Sequence, residues 1–413
     1  MKEQFLDIPV SPPDQAFGLI AEFEADPHPN KVSLIAGAYR DGNGDPWVLP
    51  CVKQAKARLA RDQNHEYLNI AGFPSFIKAA QDLTFGAGMA SKLEDSLVTL
   101  QTVSGTGANH MAALFLERNM RPKRVFIPSP SWINHKSIWN LVGVSTLDYP
   151  YYAQRTKEVD IDAMVGFLES ESEAGDVIIL QACAHNPTGV DLSRVQWAQV
   201  VELVQRKKLF VVFDSAYQGF ASGNADEDAW AVRYSVQQLL LTEGSDHPGL
   251  FVAQSFSKNF GLYGERVGAV HLVTPPHVST QGARSQLVGL ARAEYSNPPR
   301  FGASIVEMVL SDEELRAQWQ RDLQTMSSRI NKMRQELAKQ LESTGTRGDW
   351  SHVESQIGMF SYTGLDREMV ERLKEEFHIY LLPSGRASIC GLNDSNIEYV
   401  VQAISQVVST ADD

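Results

Sequence analysis

Five short apolar runs separated by helical patterns most constrain what this chain can fold into. Each run is rich in Val, Ile, Leu or Phe and ends in polar or turn residues, which is typical of buried strands. Helical segments such as 193–208 lie between most of them, which predicts an α/β fold with a mostly parallel sheet covered by helices on both faces. The runs are VFIPSPSW (125–132), DVIILQACAHNPTG (176–189), LFVVFDSAYQGF (209–220), GLFVAQSFSK (249–258) and RVGAVHLV (266–273).

The chain has 413 residues, which is long for one simple core and favours two unequal domains. Apolar residues recur at helical spacing from Leu315 to Leu341, which predicts a long amphipathic helix that packs on its own domain or bridges two domains. Short strand candidates follow around GMFSYTG and YLLPSGRASIC. The predicted division is an N-terminal arm over 1–13, a small α+β domain over 14–45 and 321–413, and a large cofactor-binding domain over 46–320.

Composition and charge exclude some classes of partner. The net charge of -13 argues against nucleic acid or an anionic membrane as a general partner. The three cysteines Cys51, Cys183 and Cys390 are odd in number and far apart, which favours a reducing compartment and supports no metal site. The N-terminus has neither an apolar secretory core nor an Arg-rich transit helix, and no run of eighteen apolar residues occurs. A cytoplasmic protein is therefore expected.

Four side chains with chemical potential lie at or just after the ends of the apolar runs: Trp132, Asn186, Asp214 and Lys258. In parallel sheets, ligands bind at the carboxyl ends of the strands, so these groups are expected to meet at one edge. A lysine that follows a buried strand is partly desolvated, which lowers its pKa and favours the nucleophilic neutral amine. Such an amine can form a Schiff base with an aldehyde cofactor, although a lone lysine is more often a surface cation.

The segment SGTGANHMAALFL (104–116) offers a candidate anion site. Ser104, Gly105 and Thr106 precede an apolar-periodic helix, whose first backbone N–H groups are free to bind an anion. A simple helix cap has the same appearance. The segment is not a dinucleotide fingerprint, because the third glycine is missing. Together with Ser255 and Arg266, whose guanidinium can hold a phosphate through two hydrogen bonds, it predicts a phosphate site.

Asp214 ends the run LFVVFD, where a buried carboxylate is costly unless it is paired. It is either a helix cap or salt-bridge partner, or the partner of the protonated ring nitrogen of pyridoxal phosphate. Tyr217 and Asn186 are placed to hydrogen-bond the ring hydroxyl. Trp132 is a candidate to stack on the ring face, although an isolated tryptophan is more often part of a core.

Six motifs, in this order along the chain, resemble those of class I aminotransferases of the aspartate aminotransferase family: SGTGA, ACAHNPTG, DSAYQGFASG, SFSKNFGLYGERVG, YSNPP and LLPSGR. The resemblance extends from GAYRDGNGDPWVLP (37–50) to the SGR segment near the C-terminus. It implies the type I fold of pyridoxal-phosphate enzymes, pyridoxal 5'-phosphate as cofactor, and a homodimer whose active sites are shared across the interface.

The resemblance also implies roles for single residues. Lys258 is expected to bond the cofactor and to carry the proton between the substrate Cα and the cofactor. Asp214 is expected to pair with the pyridine nitrogen, supported by His135, and Tyr217 to act beside it on the phenolic oxygen. The further cofactor-binding positions that it implies are Ser104, Gly105, Thr106, Trp132, Asn186, Ser255 and Arg266 from one chain and Tyr67 and Ser296 from the partner subunit.

Two arginines are expected to bind the substrate. The resemblance implies that Arg386 of PSGR holds the substrate α-carboxylate, and that Arg292 reaches the distal carboxylate of aspartate or glutamate from the partner subunit. Gly37, Trp132 and Asn186 are expected to complete the substrate pocket. The predicted reaction is amino-group transfer between a dicarboxylic amino acid and a 2-oxo acid such as 2-oxoglutarate or oxaloacetate.

Two alternatives stay open at this point. The first is a specialised enzyme of the same family that acts on an aromatic or unusual amino acid by transamination, elimination, decarboxylation or cyclisation. The second is a non-catalytic dimeric binding protein, against which the joint presence of Lys258, Asp214 and Arg386 speaks. Departures from the family pattern remove no catalytic group and leave the first alternative open. They are Leu34-Ile35-Ala36 where Gly-Val is usual, Asn109-His110 for Leu-Arg, Gly264 for asparagine, and a long segment at 237–250 predicted as a surface insertion.

Overall fold

A seven-stranded sheet lies at the centre of the computed structural model, which describes residues 8–35, 37–61, 64–276 and 278–410. The strands of the described residues are β1 (Val32–Ser33), β2 (Leu97–Val103), β3 (Arg124–Ser129), β4 (Ser145–Pro150), β5 (Tyr152–Ala153), β6 (Glu158–Val159), β7 (Val177–Gln181), β8 (Phe210–Ser215), β9 (Leu250–Ser255), β10 (Val267–Val273), β11 (Phe360–Tyr362), β12 (Ile379–Tyr380) and β13 (Arg386–Ser388). The central sheet has the order β2, β10, β9, β8, β7, β3, β4.

The central sheet is mostly parallel, as predicted. Strands β4, β3, β7, β8 and β9 pair in parallel, and β10 is antiparallel to both β9 and β2. Each of the five predicted apolar runs contains one of these strands, and the polar end of each run is the loop that follows or precedes it. Two strands, β2 and β4, were not predicted. Thr and Gln interrupt the apolar pattern of β2, and β4 is a partly exposed edge strand with a polar sequence.

Helices cover both faces of the sheet. They are α1 (Gln15–Ala25), α2 (Pro50–Leu59), α3 (Pro74–Phe85), α4 (Ala87–Lys92), α5 (Ser104–Asn119), α6 (Asn134–Leu141), α7 (Ile161–Glu171), α8 (Arg194–Lys207), α9 (Ala225–Asp228), α10 (Trp230–Leu239), α11 (Thr280–Glu294), α12 (Arg300–Ser311), α13 (Glu313–Ser343), α14 (Ser351–Ser355), α15 (Arg367–Phe377) and α16 (Ile397–Ser409), with a 3₁₀ turn at Ile389–Gly391. None of these helices is both long and apolar enough to cross a membrane.

Successive residues of the central strands belong to different cores. Val211 of β8 packs with helices α7, α8 and α10, and its neighbour Val212 packs with α5, α6 and α11. Side chains of a strand alternate between the two faces of a sheet, and here both faces are buried. This arrangement explains why the strands read as continuous apolar runs rather than as alternating patterns.

Helix α13 is the predicted long amphipathic helix, and the stripe predicted for it is buried. The helix runs without interruption across the boundary predicted between residues 320 and 321. One apolar core contains Val52, Trp319 and Val400, which lie in the large and small parts of the predicted division. The division into an arm and two domains therefore stays a prediction, and residues 1–7 of the arm lie outside the described residues.

The C-terminal part of the chain forms two small sheets that support the site. Strand β1 pairs in parallel with β12, and β11 pairs antiparallel with β13, so that Tyr362 lies opposite Arg386. Helix α1 packs through Leu19 against Ile35 and Tyr380 beside the first of these sheets. The start of α1 is thereby brought next to the strand that carries Arg386.

The segment 237–250, predicted as a surface insertion, is exposed at Gln237, Gln238 and in its middle, and is mostly buried on both sides of that middle. Helix α10 continues to Leu239, which is buried, and β9 begins at Leu250. His247 is also buried, and its Nε2 donates a hydrogen bond to the Leu209 carbonyl at 2.9 Å. The prediction was therefore wrong for the apolar residues on both sides of the middle, because they close the end of the sheet.

Candidate active site

The ends of five central strands and the start of β10 meet at one edge of the sheet. Residues Gln181 and Asp214 are paired across β7 and β8, and Ser255 of β9 is paired with Gly268 of β10. Because β10 is antiparallel, its first residues, preceded by Arg266, lie at the same edge as the carboxyl ends of its neighbours. A cavity of about 210 Å³ lies at this edge, lined by Gly37, Ser104, Gly105, Thr106, Asn109, Trp132, Gln181, Asn186, Asp214, Ala216, Tyr217, Ser255, Ser257, Lys258, Tyr263 and Arg266.

Lys258 lies in this cavity three residues after the end of β9. Its Nζ lies 5.1 Å from the centre of the Tyr217 ring, and the described residues offer no carboxylate within ion-pair distance. Burial lowers the pKa of the Lys258 amine, and the charges of Arg266 and Arg386 lower it further against the opposing effect of Asp214. The site therefore favours the neutral amine that nucleophilic attack and proton abstraction require.

Asp214 is held by a chain of hydrogen bonds behind the cavity. Its Oδ2 lies 2.9 Å from Nε2 of His135, and Nδ1 of His135 lies 2.8 Å from Oγ of Ser131. Ser131 and His135 come from the loop and helix that follow β3. Because His135 and Asp214 are both buried, this contact fixes the orientation of the carboxylate toward the cavity.

Asn186 is fixed in a similar way by Gln181, the last residue of β7. The Asn186 N–H donates to Oε1 of Gln181 at 2.8 Å, and Nε2 of Gln181 donates to the Asn186 carbonyl at 2.9 Å. These two bonds leave the Asn186 side chain to face the cavity, where Trp132 also contributes to the lining. The Trp132 ring meets His135 edge to face, with 5.3 Å between ring centres.

The candidate phosphate site is built where α5 begins. Oγ of Ser104 accepts hydrogen bonds from the Thr106 N–H, at 3.2 Å, and from the Arg266 guanidinium. Ser104 and Arg266 both have left-handed backbone conformations, with φ of 64° and 54°, which cost energy in residues other than glycine. A Cβ on Gly105 would lie 2.7 Å from Cβ of Ser255, so only glycine allows the two segments to approach so closely.

Arg266 has no carboxylate partner among the described residues. Its Nη1 donates to the Tyr263 carbonyl at 2.7 Å, and half-burial lowers the pKa of its guanidinium. A half-buried cation beside two serine hydroxyls and the N-terminus of a 16-residue helix is suited to bind a phosphate dianion.

Arg386 lines a second cavity of about 610 Å³, which shares Thr106, Trp132, Asn186 and Arg266 with the first. Its Nη2 donates to the Ile35 carbonyl at 2.9 Å, and its Nε is buried without a partner in the described structure. Burial lowers the pKa of Arg386 to about 10, which leaves it cationic at neutral pH. This guanidinium therefore has hydrogen-bonding capacity that a carboxylate can use.

Gly37 lies in the first cavity, next to the ring that supports Arg386. A Cβ on Gly37 would lie 3.2 Å from Cζ of Phe360, and the guanidinium of Arg386 lies 4.1 Å from the centre of the same ring. Tyr217 lines the opposite side, and burial raises the pKa of its hydroxyl well above the ordinary range. The predicted cofactor and substrate residues of one chain are thus brought together.

Four predicted residues line neither cavity: His135, which lies behind Asp214, and Tyr67, Arg292 and Ser296. Tyr67 is 86% exposed, and the Arg292 guanidinium donates to Oγ of Ser296 on the surface. Asn297 links the two segments, because its Nδ2 donates to the Leu68 carbonyl at 2.6 Å. These segments thus place Tyr67, Arg292 and the half-buried Ser296 outside both cavities described above.

Some residues of the cavity were missed by the sequence analysis. Tyr263 lies between Lys258 and Arg266 in the chain, and its hydroxyl accepts a hydrogen bond from the Tyr39 N–H at 2.8 Å. Asn109 is one helical turn after Gly105 and donates to its carbonyl at 3.0 Å. Both residues lie within motifs that the sequence analysis singled out, so their positions in those motifs could have identified them. Gln181 gave no comparable signal, since its role depends on its contacts with Asn186.

The departures from the family pattern have different environments. Ile35 is buried beneath α1 and His110 pairs with Glu294 at 3.1 Å. Gly264 lies in open space, where a Cβ would meet nothing within 4 Å, so no steric reason requires a glycine there. Ala36 lies outside the described residues. Of these positions, Asn109 alone lines the first cavity.

Comparison with known proteins places this geometry in a family. The family model described as aminotransferase class I and II matches residues 29–404. The L-tyrosine:2-oxoglutarate aminotransferase ucdG of Aspergillus ustus is 46% identical over 413 residues, covering 97% of this chain and 77% of the relative.

Two solved structures match over nearly the whole chain. The aspartate aminotransferase from Saccharomyces cerevisiae cytoplasm has a TM-score of 0.96 and 44% identity, and the match covers 100% of both chains. The aromatic-amino-acid aminotransferase from Burkholderia pseudomallei, covalently bound to pyridoxal phosphate, has a TM-score of 0.92 and 39% identity, covering 98% of this chain and 99% of the other. The predicted type I fold is confirmed, and the chain belongs to the class I and II aminotransferase family.

Proposed function

We propose that this protein is a pyridoxal-phosphate-dependent aminotransferase that moves an amino group between aspartate or glutamate and a 2-oxo acid. The observation that carries the proposal is the convergence of Lys258, Asp214 and Arg386 from three distant parts of the chain around connected cavities. The aspartate aminotransferase from Saccharomyces cerevisiae, with 44% identity over the full chain, supports the choice of substrate.

The residues present fit the cofactor. Beside the start of α5, Arg266 supplies a cation that has no carboxylate partner among the residues described, which suits a phosphate. Asp214 supplies an oriented carboxylate, which suits a protonated ring nitrogen, and Trp132 supplies an aromatic face. Lys258 supplies a buried amine whose pKa is lowered, which suits a covalent bond to an aldehyde.

Bound in this cavity, pyridoxal 5'-phosphate would supply the electron sink that makes the substrate Cα–H acidic. Asp214 would keep the ring nitrogen protonated and is itself oriented by His135. Tyr217 and Asn186 would hydrogen-bond the phenolic oxygen from the cavity wall. Nζ of Lys258 would take the proton from the substrate Cα and deliver it to the cofactor on the same face, because no other buried amine lines the cavity in the described structure.

Arg386 would hold the α-carboxylate that amino acids and 2-oxo acids share. Both half-reactions of a transamination use that carboxylate, so one arginine serves both substrates. Phe360 beneath its guanidinium and the Ile35 carbonyl limit its orientation. The substrate is thereby positioned with its Cα toward the first cavity.

We infer that the enzyme is a homodimer in which Tyr67, Arg292 and Ser296 reach the site of the partner subunit. The support is their position together outside both cavities of their own chain. Arg292 would then bind the distal carboxylate of aspartate or glutamate. We further infer a cytoplasmic enzyme, since the similar enzyme from Saccharomyces cerevisiae comes from that compartment.

A second candidate is an aminotransferase of aromatic amino acids. Ala16, Phe17, Ile133 and Leu382 line the cavity beside Arg386, and they offer apolar surface to a larger side chain. The relative from Aspergillus ustus acts on L-tyrosine by name and is 46% identical. We prefer aspartate or glutamate as the substrate, because Arg292 supplies an exposed cation for a second carboxylate.

The test mixes purified enzyme loaded with cofactor separately with aspartate, glutamate, tyrosine and phenylalanine. The loss of the visible absorbance of the loaded enzyme reports the first half-reaction. We expect the wild type to be yellow and to respond to aspartate and glutamate. The Lys258→Ala variant should bind the cofactor without turnover. A wild type that stays colourless after reconstitution would contradict the proposal. A response to aromatic amino acids alone would favour the second candidate.

A further inference from the structure

Arg334 of α13 is a buried cation that the proposed mechanism does not use. It is 1% exposed, and no carboxylate of the described residues lies within ion-pair distance. Burial lowers the pKa of its guanidinium to about 9, and its Nε has no hydrogen-bond partner in the described structure. Burial of an apolar side chain stabilises a fold, whereas burial of a charge without a carboxylate partner costs free energy, so the hydrogen-bond partners of Arg334 indicate what the charge is used for.

The partners of Arg334 are three backbone carbonyls in the segment that leads into β11. Nη1 donates to the Val353 carbonyl at 3.1 Å, and Nη2 donates to the Gly358 carbonyl at 2.8 Å and to the Phe360 carbonyl. These bonds hold residues 353–360 against α13. Between the end of α14 at Ser355 and the start of β11 at Phe360, the segment has no regular structure of its own.

Phe360, at the end of this segment, touches the site at three places. Its ring lies 4.1 Å from the Arg386 guanidinium and next to Gly37. Gly189 lies in the loop that carries Asn186, and a Cβ on Gly189 would lie 2.7 Å from the Phe360 carbonyl oxygen. The Ile357 N–H also donates to the Gly189 carbonyl at 2.7 Å. A shift of the segment would therefore move the support of Arg386 and the loop of Asn186 together.

We propose that Arg334 is a positioning residue for the substrate α-carboxylate, acting through the Phe360 segment on Arg386. The bonds from Arg334 to the carbonyls fix the position of the Phe360 ring. The ring in turn fixes the plane of the Arg386 guanidinium by a cation–π contact. This inference rests on the proposed function, since it concerns the carboxylate that both substrates carry. Arg334 itself lines neither of the two cavities.

The test compares Arg334→Met with the wild type in the cofactor-loaded enzyme. Methionine keeps an apolar chain of similar length and removes the three donors. We expect the KM of aspartate and of 2-oxoglutarate to rise together by roughly tenfold, which is the scale of one lost cation–π contact, with a smaller change in kcat. The Kd of succinate, measured from the visible spectrum without turnover, should rise by the same factor.

Arg233→Met is the matched control. Arg233 of α10 also donates to backbone carbonyls, those of Leu83 and Thr84, and it lines neither cavity. Its substitution should lower the melting temperature and leave KM and the Kd of succinate unchanged. Equal KM values for Arg334→Met, Arg233→Met and the wild type would overturn the inference.

Phe360→Leu keeps the proposal testable if Arg334→Met does not fold. Arg334 bonds to the backbone carbonyl of Phe360 and not to its ring, so this variant removes the ring contact alone. It should raise both KM values as Arg334→Met does, and the double variant should be no worse than the single ones. Additive effects, or an unchanged Kd of succinate in Phe360→Leu, would refute the link. A wild type without turnover of any amino acid would instead refute the proposed function, and this inference with it.

Discussion

At the scale of single residues, the site is defined by cations whose charges are left for ligands. Lys258 and Arg266 have no carboxylate partner in the described structure, and Arg386 uses one of its nitrogens on the Ile35 carbonyl. Elsewhere on the surface, arginines such as Arg206 are paired with carboxylates. This difference explains how a chain with a net charge of -13 can bind anionic substrates, because local cations determine the field in the cavity.

Arg292→Asp is expected to change the substrate preference of the enzyme. If Arg292 binds the distal carboxylate in the partner's site, the reversed charge should lower kcat/KM for aspartate by roughly a hundredfold or more, the scale of a lost charge-assisted pair. Basic amino acids should gain activity. Arg284→Asp, on the same helix and also exposed, makes the same charge change and should leave aspartate kinetics unaltered. Unchanged kinetics in both variants would contradict the role given to Arg292.

Arg266→Lys tests the phosphate site at the same scale. Lysine keeps the charge but cannot offer two parallel donors, and it cannot hold both Ser104 and the Tyr263 carbonyl. We expect the Kd of pyridoxal phosphate to rise about tenfold or more, while the Kd of pyridoxal, which lacks the phosphate, stays the same. Equal losses for the two compounds would show that Arg266 supports the fold rather than the phosphate.

At the scale of elements, the central sheet contains polar groups that limit its stability in acid. His271 of β10 is buried between its neighbours, 2.9 Å from Oγ1 of Thr99 in β2 and 3.0 Å from Oε1 of Gln254 in β9. Burial lowers the pKa of His271 to about 3 and that of His247 to about 4. Both rings are therefore neutral in the folded protein at pH values where an unfolded chain binds protons.

Acid should therefore destabilise the folded protein through these rings. The folded pKa values lie below the unfolded value of about 6.5, so their full contribution is present above pH 6.5 and is lost as the pH falls toward 3 to 4. Each ring adds up to about 1.4 kcal/mol per pH unit to the slope of the free energy of unfolding. Urea unfolding measured from pH 7 to pH 5 should show that the free energy of unfolding falls less steeply with falling pH in His271→Gln than in the wild type.

At the scale of the whole molecule, the proposed dimer would bring Tyr67, Arg292 and Ser296 to the site of the partner subunit, since they lie outside the cavities of their own chain. A homodimer completes two sites at once, because a twofold interface gives each subunit the residues that it offers to the other. The protein should therefore elute as a dimer of a 45.8 kDa chain in size-exclusion chromatography with light scattering.

Hybrid dimers give a sharper test of the shared site. Lys258→Ala and Arg292→Asp dimers are each expected to be nearly inactive with aspartate. Unfolding and refolding them as a mixture should restore about a quarter of the wild-type activity, since half of the dimers are hybrids with one intact site. No recovery, with hybrids demonstrated by a tag on one variant, would show that Arg292 serves the site of its own chain.

The amino-acid sequence by itself determined the class of fold and most of the cavity. Buried parallel strands require long apolar runs, and polar residues at their ends reach a common edge, so Lys258, Asp214 and Asn186 could be predicted from local patterns. The family resemblance supplied roles for residues that local patterns do not separate from surface cations, Arg292 and Arg386 in particular.

Only the tertiary structure decided the contacts between distant segments. Arg334 occupies an ordinary position on a long helix in the sequence, and its bonds to the carbonyls before Phe360 become visible only when the chain is folded. The bonds of Gln181 to Asn186 likewise become visible only in the folded chain, whereas the support of Asp214 by His135 was expected from the family resemblance. Hydrogen bonds to backbone carbonyls and the packing of rings depend on three-dimensional proximity, which no periodicity of the sequence records.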